Sequence, residues 1–258
     1  MCSSDLAEYA RRANDRRQLT EILGWLASAA LYGPTPALEG IRSCEDYLDE
    51  VGNHPRGQAV ILNHMAGLYA MQDQFETAHA TLSRAKSYLD ILGPTMTAAV
   101  TQPAAFIAML RGDPATAETH LRFAYESLSL MGEKGNLGTA AALLARAIAA
   151  QGGERYDEAN QLIAISQEAA AGEDLVTEII GQGLLARMLA DRGRHAEATG
   201  LASSAVALAA QTDLLSQHAD ALLDLAHVLA ASGRFPEAQA AATKALRSEE
   251  HTSELQSP

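Results

Sequence analysis

Apolar residues along this chain recur at the spacing of one helical face rather than in alternation. Leu144-Ala145-x-x-Ile148, Leu185-Ala186-x-x-Leu189 and Leu225-Ala226-x-x-Leu229 place apolar side chains at i, i+1 and i+4 with a small residue among them, and Met65-Ala66-x-x-Tyr69 follows the same rule. Such a stripe makes one side of a helix that packs closely on a neighbour. A second pattern, Gly-x-aromatic-x-x-Ala, follows these stripes. It reads Gly193-Arg194-His195-Ala196-Glu197-Ala198 and Gly233-Arg234-Phe235-Pro236-Glu237-Ala238. Looser copies begin at Asp73 and Gly112, one with extra loop residues begins at Gly153, and a degenerate first copy runs from Gly33 to Leu38. Their last positions are 38, 78, 117, 159, 198 and 238, so the intervals are 40, 39, 42, 39 and 40. The long interval contains a loop insertion at Gly152-Gly153-Glu154.

Self-similarity at a fixed period marks a repeat architecture. The Gly or Asp ends a helix A, and the aromatic and Ala set a helix B against it. Ala78, Ala117, Ala159, Ala198 and Ala238, with Phe75, Tyr156 and Phe235, are the expected packing positions of that junction. Six helix-turn-helix units are predicted, at 16–51, 56–92, 95–131, 136–171, 175–211 and 214–247, with residues 1–15 as a lead-in or partial helix. Pro34, Pro36, Pro114 and Pro236 are expected in the first turns of B helices, where a missing N–H costs nothing. Gly52-Asn53-His54-Pro55, Gly93-Pro94, Gly132 and Gly172-Glu173-Asp174 punctuate the units.

This layout resembles tetratricopeptide (TPR) repeats, whose signature joins two antiparallel helices through a Gly-x-Tyr-x-x-Ala turn. The period is nearer 40 than the usual 34, as in the superhelical sensor domains of bacterial regulators of the maltose-activator type. Tyr32-Gly33-Pro34-Thr35-Pro36, Gly112-Asp113-Pro114, Gly135-Asn136-Leu137-Gly138-Thr139, Thr212-Asp213 and the run from Ala219 to Ala226 are similar to the C-terminal repeat region of bacterial adenylate/guanylate cyclase-like signalling ATPases. The resemblance covers residues 16 to 246 and implies an all-α, right-handed superhelical solenoid of about six TPR-like units. It also implies that enzymatic domains, where present, lie upstream of a chain that catalyses nothing itself. No Gly-x-x-x-x-Gly-Lys-[Ser/Thr] phosphate loop occurs in these residues.

Composition agrees with helices. The chain is 48% hydrophobic but only 5% aromatic, so its core is built from Ala and Leu, which favour helix over sheet. Its 19 Lys+Arg against 32 Asp+Glu give a net charge of -13, which argues against nucleic acid and anionic membrane surfaces as partners. The stretch from Arg247 to Ser257 resembles a translated sequencing adapter, so 247–258 is set aside as an artefactual tail. An apolar run from Ile22 to Ala30 imitates a secretory signal, but Asp5, Glu8 and Asp15 occupy the would-be basic region and Glu21 abuts the run. No apolar stretch approaches the ~20 residues that span a bilayer. A cytoplasmic location is the expectation.

Function in stacked repeats lies on the surface lined by the A helices. Counting from the Leu-Ala stripes, the groove column reads Ala27, Gly67, Phe106, Arg146, Arg187 and His227, with Asn63 and Gln102 one turn earlier and Asp220 near the far end. Arg146 and Arg187 fall on adjacent units, where they either hold a partner's carboxylate or phosphate jointly or stand as solvated arginines. Asp224 and His227 share a face, but no third ligand accompanies them, so no metal is assigned. No cofactor is implied either. Cys44, near only Arg42 among basic residues, reads as an inert thiol.

The expected occupant is a protein partner or an upstream domain of the same polypeptide, with a small ligand as the alternative. Exposed Ala and Leu at the last helix also leave self-association open. The leading expectation is the regulatory or sensing arm of a larger signalling ATPase or transcriptional regulator. The alternative is a stand-alone scaffold.

Overall fold

The computed structural model describes residues 3–93, 96, 101–170 and 174–253, and among them every regular element is helical. A short helix α1 (Ser3–Arg12) leads into α2 (Arg16–Tyr32) and α3 (Ala37–Val51), then α4 (Pro55–Met71) and α5 (Phe75–Leu92). Next come α6 (Gln102–Leu110) and α7 (Pro114–Met131), α8 (Leu137–Ala149) and α9 (Tyr156–Ala170), α10 (Leu175–Asp191) and α11 (His195–Ala209), and α12 (Leu215–Ala231) and α13 (Phe235–Ser253). The chain divides into two compact units at the Arg111–Gly112 turn, Met1–Arg111 in the first and Gly112–Thr252 in the second. That turn lies inside the third sequence repeat. The expected turn at Gly172-Glu173 falls outside the described residues, and so does most of the expected start of the third unit.

Within each unit the A helices lie side by side, α2 on α4 and α4 on α6 in the first, α8 on α10 and α10 on α12 in the second. Each B helix contributes one stripe. On α11 the stripe is Ala198, Ala202, Ala205 and Ala209, and on α7 it is Ala117, Leu121, Ala124 and Leu128, all buried. Both follow i, i+4, i+7, i+11, the spacing of one helical face. An A helix is covered on more sides. On α8, Gly138, Ala140, Ala141, Ala142, Leu144, Ala145, Ala147 and Ile148 are all buried. Only small side chains let a helix be enclosed this closely.

The turn between helices is the most regular part of the fold. In the fifth and sixth repeats Gly193 and Gly233 take positive φ, at 79° and 77°. The following N–H groups of Arg194 and Arg234 then bond back to the carbonyls of Leu189 and Leu229 at 2.9 Å. This closes the A helix in a Schellman-like cap. The second repeat makes the same turn without glycine: Asp73 holds φ 57°, and Gln74 N–H bonds Tyr69 O. At the next position Arg194 pairs with Glu197 and Arg234 with Glu237, which accounts for the recurrent Arg-x-x-Glu. Pro114 opens α7 and Pro236 is the second residue of α13, as expected, whereas Pro36 is the N-cap of α3 and Pro34 precedes it. Asp113 caps α7 by accepting from Thr116 N–H.

Adjacent repeats are also joined by ions. Glu118 on α7 accepts from Arg155 at 2.7 Å, from Arg122 at 2.6 Å and from Gln151 at 2.6 Å, while Arg122 and Arg155 both reach Glu158 on α9. The Arg155 bonds, with those of Arg122 and Gln151, hold the Glu118 carboxyl down to about 2 against the opposing effect of burial. Cys44 is fully buried and its thiol is pushed up to about 12, mainly by that burial, so it is a poor nucleophile. No described helix is long and apolar enough to cross a membrane.

The packing and the ion links can each be tested by substitution. Replacing Ala198 with Leu overfills the α10–α11 junction and should cost about 1–3 kcal/mol. The exposed Ala196→Leu should stay within about 0.5 kcal/mol, and urea denaturation of both variants separates the two sites. For Glu118 the folded-state carboxyl lies below its ordinary value of 4.5. Its contribution, on the order of 2 kcal/mol, is therefore present above pH 4.5 and lost as pH falls toward about 2. Glu118→Gln should flatten stability against pH over that window.

Candidate functional site

In the second unit the A helices carry a seam of charged side chains that the neighbouring repeats tie together. Asp224 on α12 is fully buried. Its Oδ2 accepts from Arg146 Nη2 of α8 at 2.9 Å, and its Oδ1 accepts from Arg187 Nη1 of α10 at 3.2 Å. A second carboxylate, Asp220, stands one turn away with Oδ2 3.8 Å from Arg146 Nη1. The Asp220 side chain is 51% exposed; the low-dielectric surroundings of its carboxyl push it up, Arg146 pulls it down, and the charge of Asp224 adds to the upward push. Burial alone would depress the Arg146 guanidinium, but Asp224 and Asp220 overcome that and raise it. Two opposite charges brought out of water stay charged only in this kind of close pairing.

Next to this pair lies a second group. Asp191, the last residue of α10, accepts from the Tyr156 hydroxyl at 2.5 Å through Oδ2, and its Oδ1 meets His227 Nε2 at 2.8 Å. Burial raises the Asp191 carboxyl, but these two hydrogen bonds outweigh it and the net shift is downward. The Tyr156 hydroxyl is pushed up to about 12, first by burial and then by Asp191. Arg192 lies over the Tyr156 ring at 5.9 Å from its centre and pairs with Asp157 at 3.2 Å. Phe75 in the first unit has the same arrangement beneath Arg111, at 5.7 Å. In both cases the arginine follows the next A helix, 36 residues on.

The first unit presents a different A-helix face. Tyr32 of α2 meets His64 of α4 and Phe106 of α6 edge-on, with ring centres 6.2 Å apart in each contact. His64 Nδ1 lies 2.8 Å from Val60 O, and burial drives its pKa down, keeping the ring neutral. Burial likewise raises the Tyr32 hydroxyl.

No protein-family model matches the chain, and no curated protein matches it. Solved structures do. BtubC (BKLC) from P. vanneervenii superposes with a TM-score of 0.57 at 15% identity, covering 87% of this chain and 95% of that one. A single-substitution variant of a putative kinesin light chain of Podosopora anserina, described as having nearly identical TPR-like repeats, gives 0.52 at 21% identity over 78% and 98%. The same repeats without that substitution give 0.50 at 20% identity over 79% and 100%. The fold is that of TPR-like repeat proteins.

Several residues named from the sequence come together in the TPR-like second unit, and others do not. Arg146, Arg187 and Asp220 surround Asp224, and His227 joins Asp191. The two arginines meet the chain's own carboxylate, with Arg146 mostly buried and Arg187 still 40% exposed. The pair Asp224 and His227 is split between two networks, and no group of three or more potential metal ligands occurs among the described residues. In the first unit Phe106 lies on the aromatic face and Gln102 one turn before it, but Asn63 is only 3% exposed. Its neighbour His64 takes the expected place, because one residue rotates a helix position by about 100°. Ala27 and Gly67 are buried for the same reason.

All five turn alanines are buried, while Phe75 and Tyr156 are half-buried beneath their arginines. Phe235 departs from its expected core place and is 67% exposed, since no later A helix follows among the described residues to supply the covering arginine. Tyr32, His64, Tyr156 and Asp191 are not assigned to the site by the repeat pattern, and Asp224 enters it only as a metal-ligand candidate beside His227. The turn pattern did name Tyr156, though as a packing residue, and only its spacing to Arg192 hinted at more.

Tyr156→Phe removes one hydroxyl donor and leaves Asp191 with His227. It should cost about 0.5–1.5 kcal/mol, which urea denaturation reads directly.

Proposed function

We propose that this chain is a non-catalytic TPR-like module that binds a protein partner along its row of A helices. The observation that carries the reading is the charged seam, in which Arg146, Arg187, Asp220 and His227, drawn from three successive A helices, meet in one strip of surface. The B helices, by contrast, use their small-residue stripes for packing and turn scattered polar residues outward. Repeat arrays present one continuous face in this way, and affinity comes from a few placed side chains on a rigid support. Nothing in the seam resembles a nucleophile with its base, since each acid already has a cation or hydroxyl partner.

At a finer level, the module serves as the regulatory or sensing arm of a larger cytoplasmic signalling protein of the cyclase-like ATPase kind, or of a transcriptional regulator. The sequence strings around Tyr32–Pro36 and Ala219–Ala226 support that reading. A partner would regulate such an arm only through different affinity for two arrangements of the repeats. A long sequencing read across the locus tests it. An upstream frame continuous with Met1 that encodes a phosphate loop is the expected result, with a different 3′ end in place of the adapter-like tail. A stop codon directly before Met1 leaves the stand-alone scaffold.

Binding itself is tested by placing a photo-crosslinking amino acid at position 220 or 227 and, as a control, at Gln239 on the exposed side of α13. Partner adducts should form from the A-helix positions and fall at least about tenfold at 239. Adducts from 239 alone would remove the A-helix face from consideration.

A further inference from the structure

Helical repeats hold together through nearest-neighbour contacts, and the polar links of the second unit mostly obey that rule. Glu118 with Arg155, Arg122 with Glu158, Asp191 with His227 and Arg187 with Asp224 each join one repeat to the next. Arg146 with Asp224 does not. These residues are 78 apart in sequence, on α8 and α12, and the bond passes over the repeat that carries α10.

The crossing has a steric condition. A Cβ placed on Gly183 of α10 would lie 2.4 Å from Asp224 Oδ2 and 3.3 Å from its Cγ. The Gly183 backbone is in ordinary helical geometry, so glycine is there for space and not for conformation. The missing side chain is the opening through which the carboxylate of α12 passes α10 to reach α8. Once there, the charge is sealed: Asp224 is fully buried, and its two oxygens are divided between guanidiniums from the two preceding repeats. Neither arginine can move away without leaving part of a buried charge unpaired.

We infer that Asp224, Arg146, Arg187 and Gly183 form a three-repeat staple that makes α8, α10 and α12 open and close as one cooperative block rather than repeat by repeat. The device concerns the architecture of this unit and stands whether or not the A-helix face binds a partner. Its consequence is that three successive A helices present one fixed surface, and that a change at α12 is felt two repeats away.

Native-state hydrogen exchange on the full chain tests it. In Asp224→Asn, amide protection should fall about tenfold or more in α8 as well as in α12. His227→Gln, which removes a nearest-neighbour link, should lower protection in α10 and α12 only. Unchanged exchange in α8 of the folded Asp224→Asn protein overturns the staple. Should that variant fail to fold, Arg146→Lys keeps the charge and the stem but loses the fork. It is then expected to raise exchange in α12, and unaltered α12 exchange overturns the inference equally. Gly183→Ala should reproduce the Asp224→Asn pattern without touching any of the three charges, and a purely local effect on α10 would also count against the staple.

Discussion

The separation between helix A and helix B is set by a methyl group. Ala78, Ala159, Ala198 and Ala238 stand where a B helix leaves its turn and meets its A helix, and these and Ala117 are all buried. A larger residue would push the axes apart, and a glycine would loosen the helix. From that spacing much else follows. The interior has little volume for rings, so the turn aromatics Phe75 and Tyr156 sit at the rim under Arg111 and Arg192. Close approach also maximises dispersion contacts per residue, which offsets the small transfer free energy that each alanine supplies.

Repeat number, turn position and the small-residue stripes were legible in the sequence because each is local. The Schellman-like turn needs only Gly193 or Gly233, the four residues before it and the one after, and the stripe on α11 needs only alanines at helical spacing. What the sequence left open was rotation and long-range pairing. Asn63 and His64 are adjacent, yet one is buried and the other lies on the aromatic face. A repeat template aligned by its turns carries an uncertainty of about one residue in helical phase, and that changes the facing residue by about 100°. The covering of Tyr156 by Arg192, 36 residues later, depends on the neighbour's phase as well as its own. Phe235 shows the converse, since the equivalent motif position without a described following repeat is exposed.

Charge counting needed the structure more than any other reading. A net of -13 describes the whole chain, but several cations are spent internally. Arg146 and Arg187 face Asp224, Arg122 and Arg155 face Glu118 and Glu158, and Arg11 faces Glu50. In all of these the guanidinium has the planar fork that suits a carboxylate between two helices. The arginines therefore act more as links between repeats than as a basic surface.

Asp224 shows why such links need not be read as sources of stability. A buried ion pair replaced by apolar groups of the same volume is often no less stable, whereas removing one partner leaves an expensive charge behind. What the pair supplies is a restriction on geometry. Leucines at 146 and 224 could pack in many relative phases of α8, α10 and α12, but the carboxylate is satisfied only when it lies against Gly183 with a guanidinium on either side. The glycine lowers helix propensity by about 1 kcal/mol, and the buried carboxylate would be costly if misplaced. Each is unfavourable alone, and the two become compatible in one register. In a core of near-identical alanine faces, where packing alone discriminates weakly between neighbouring phases, that constraint selects the register the second unit adopts.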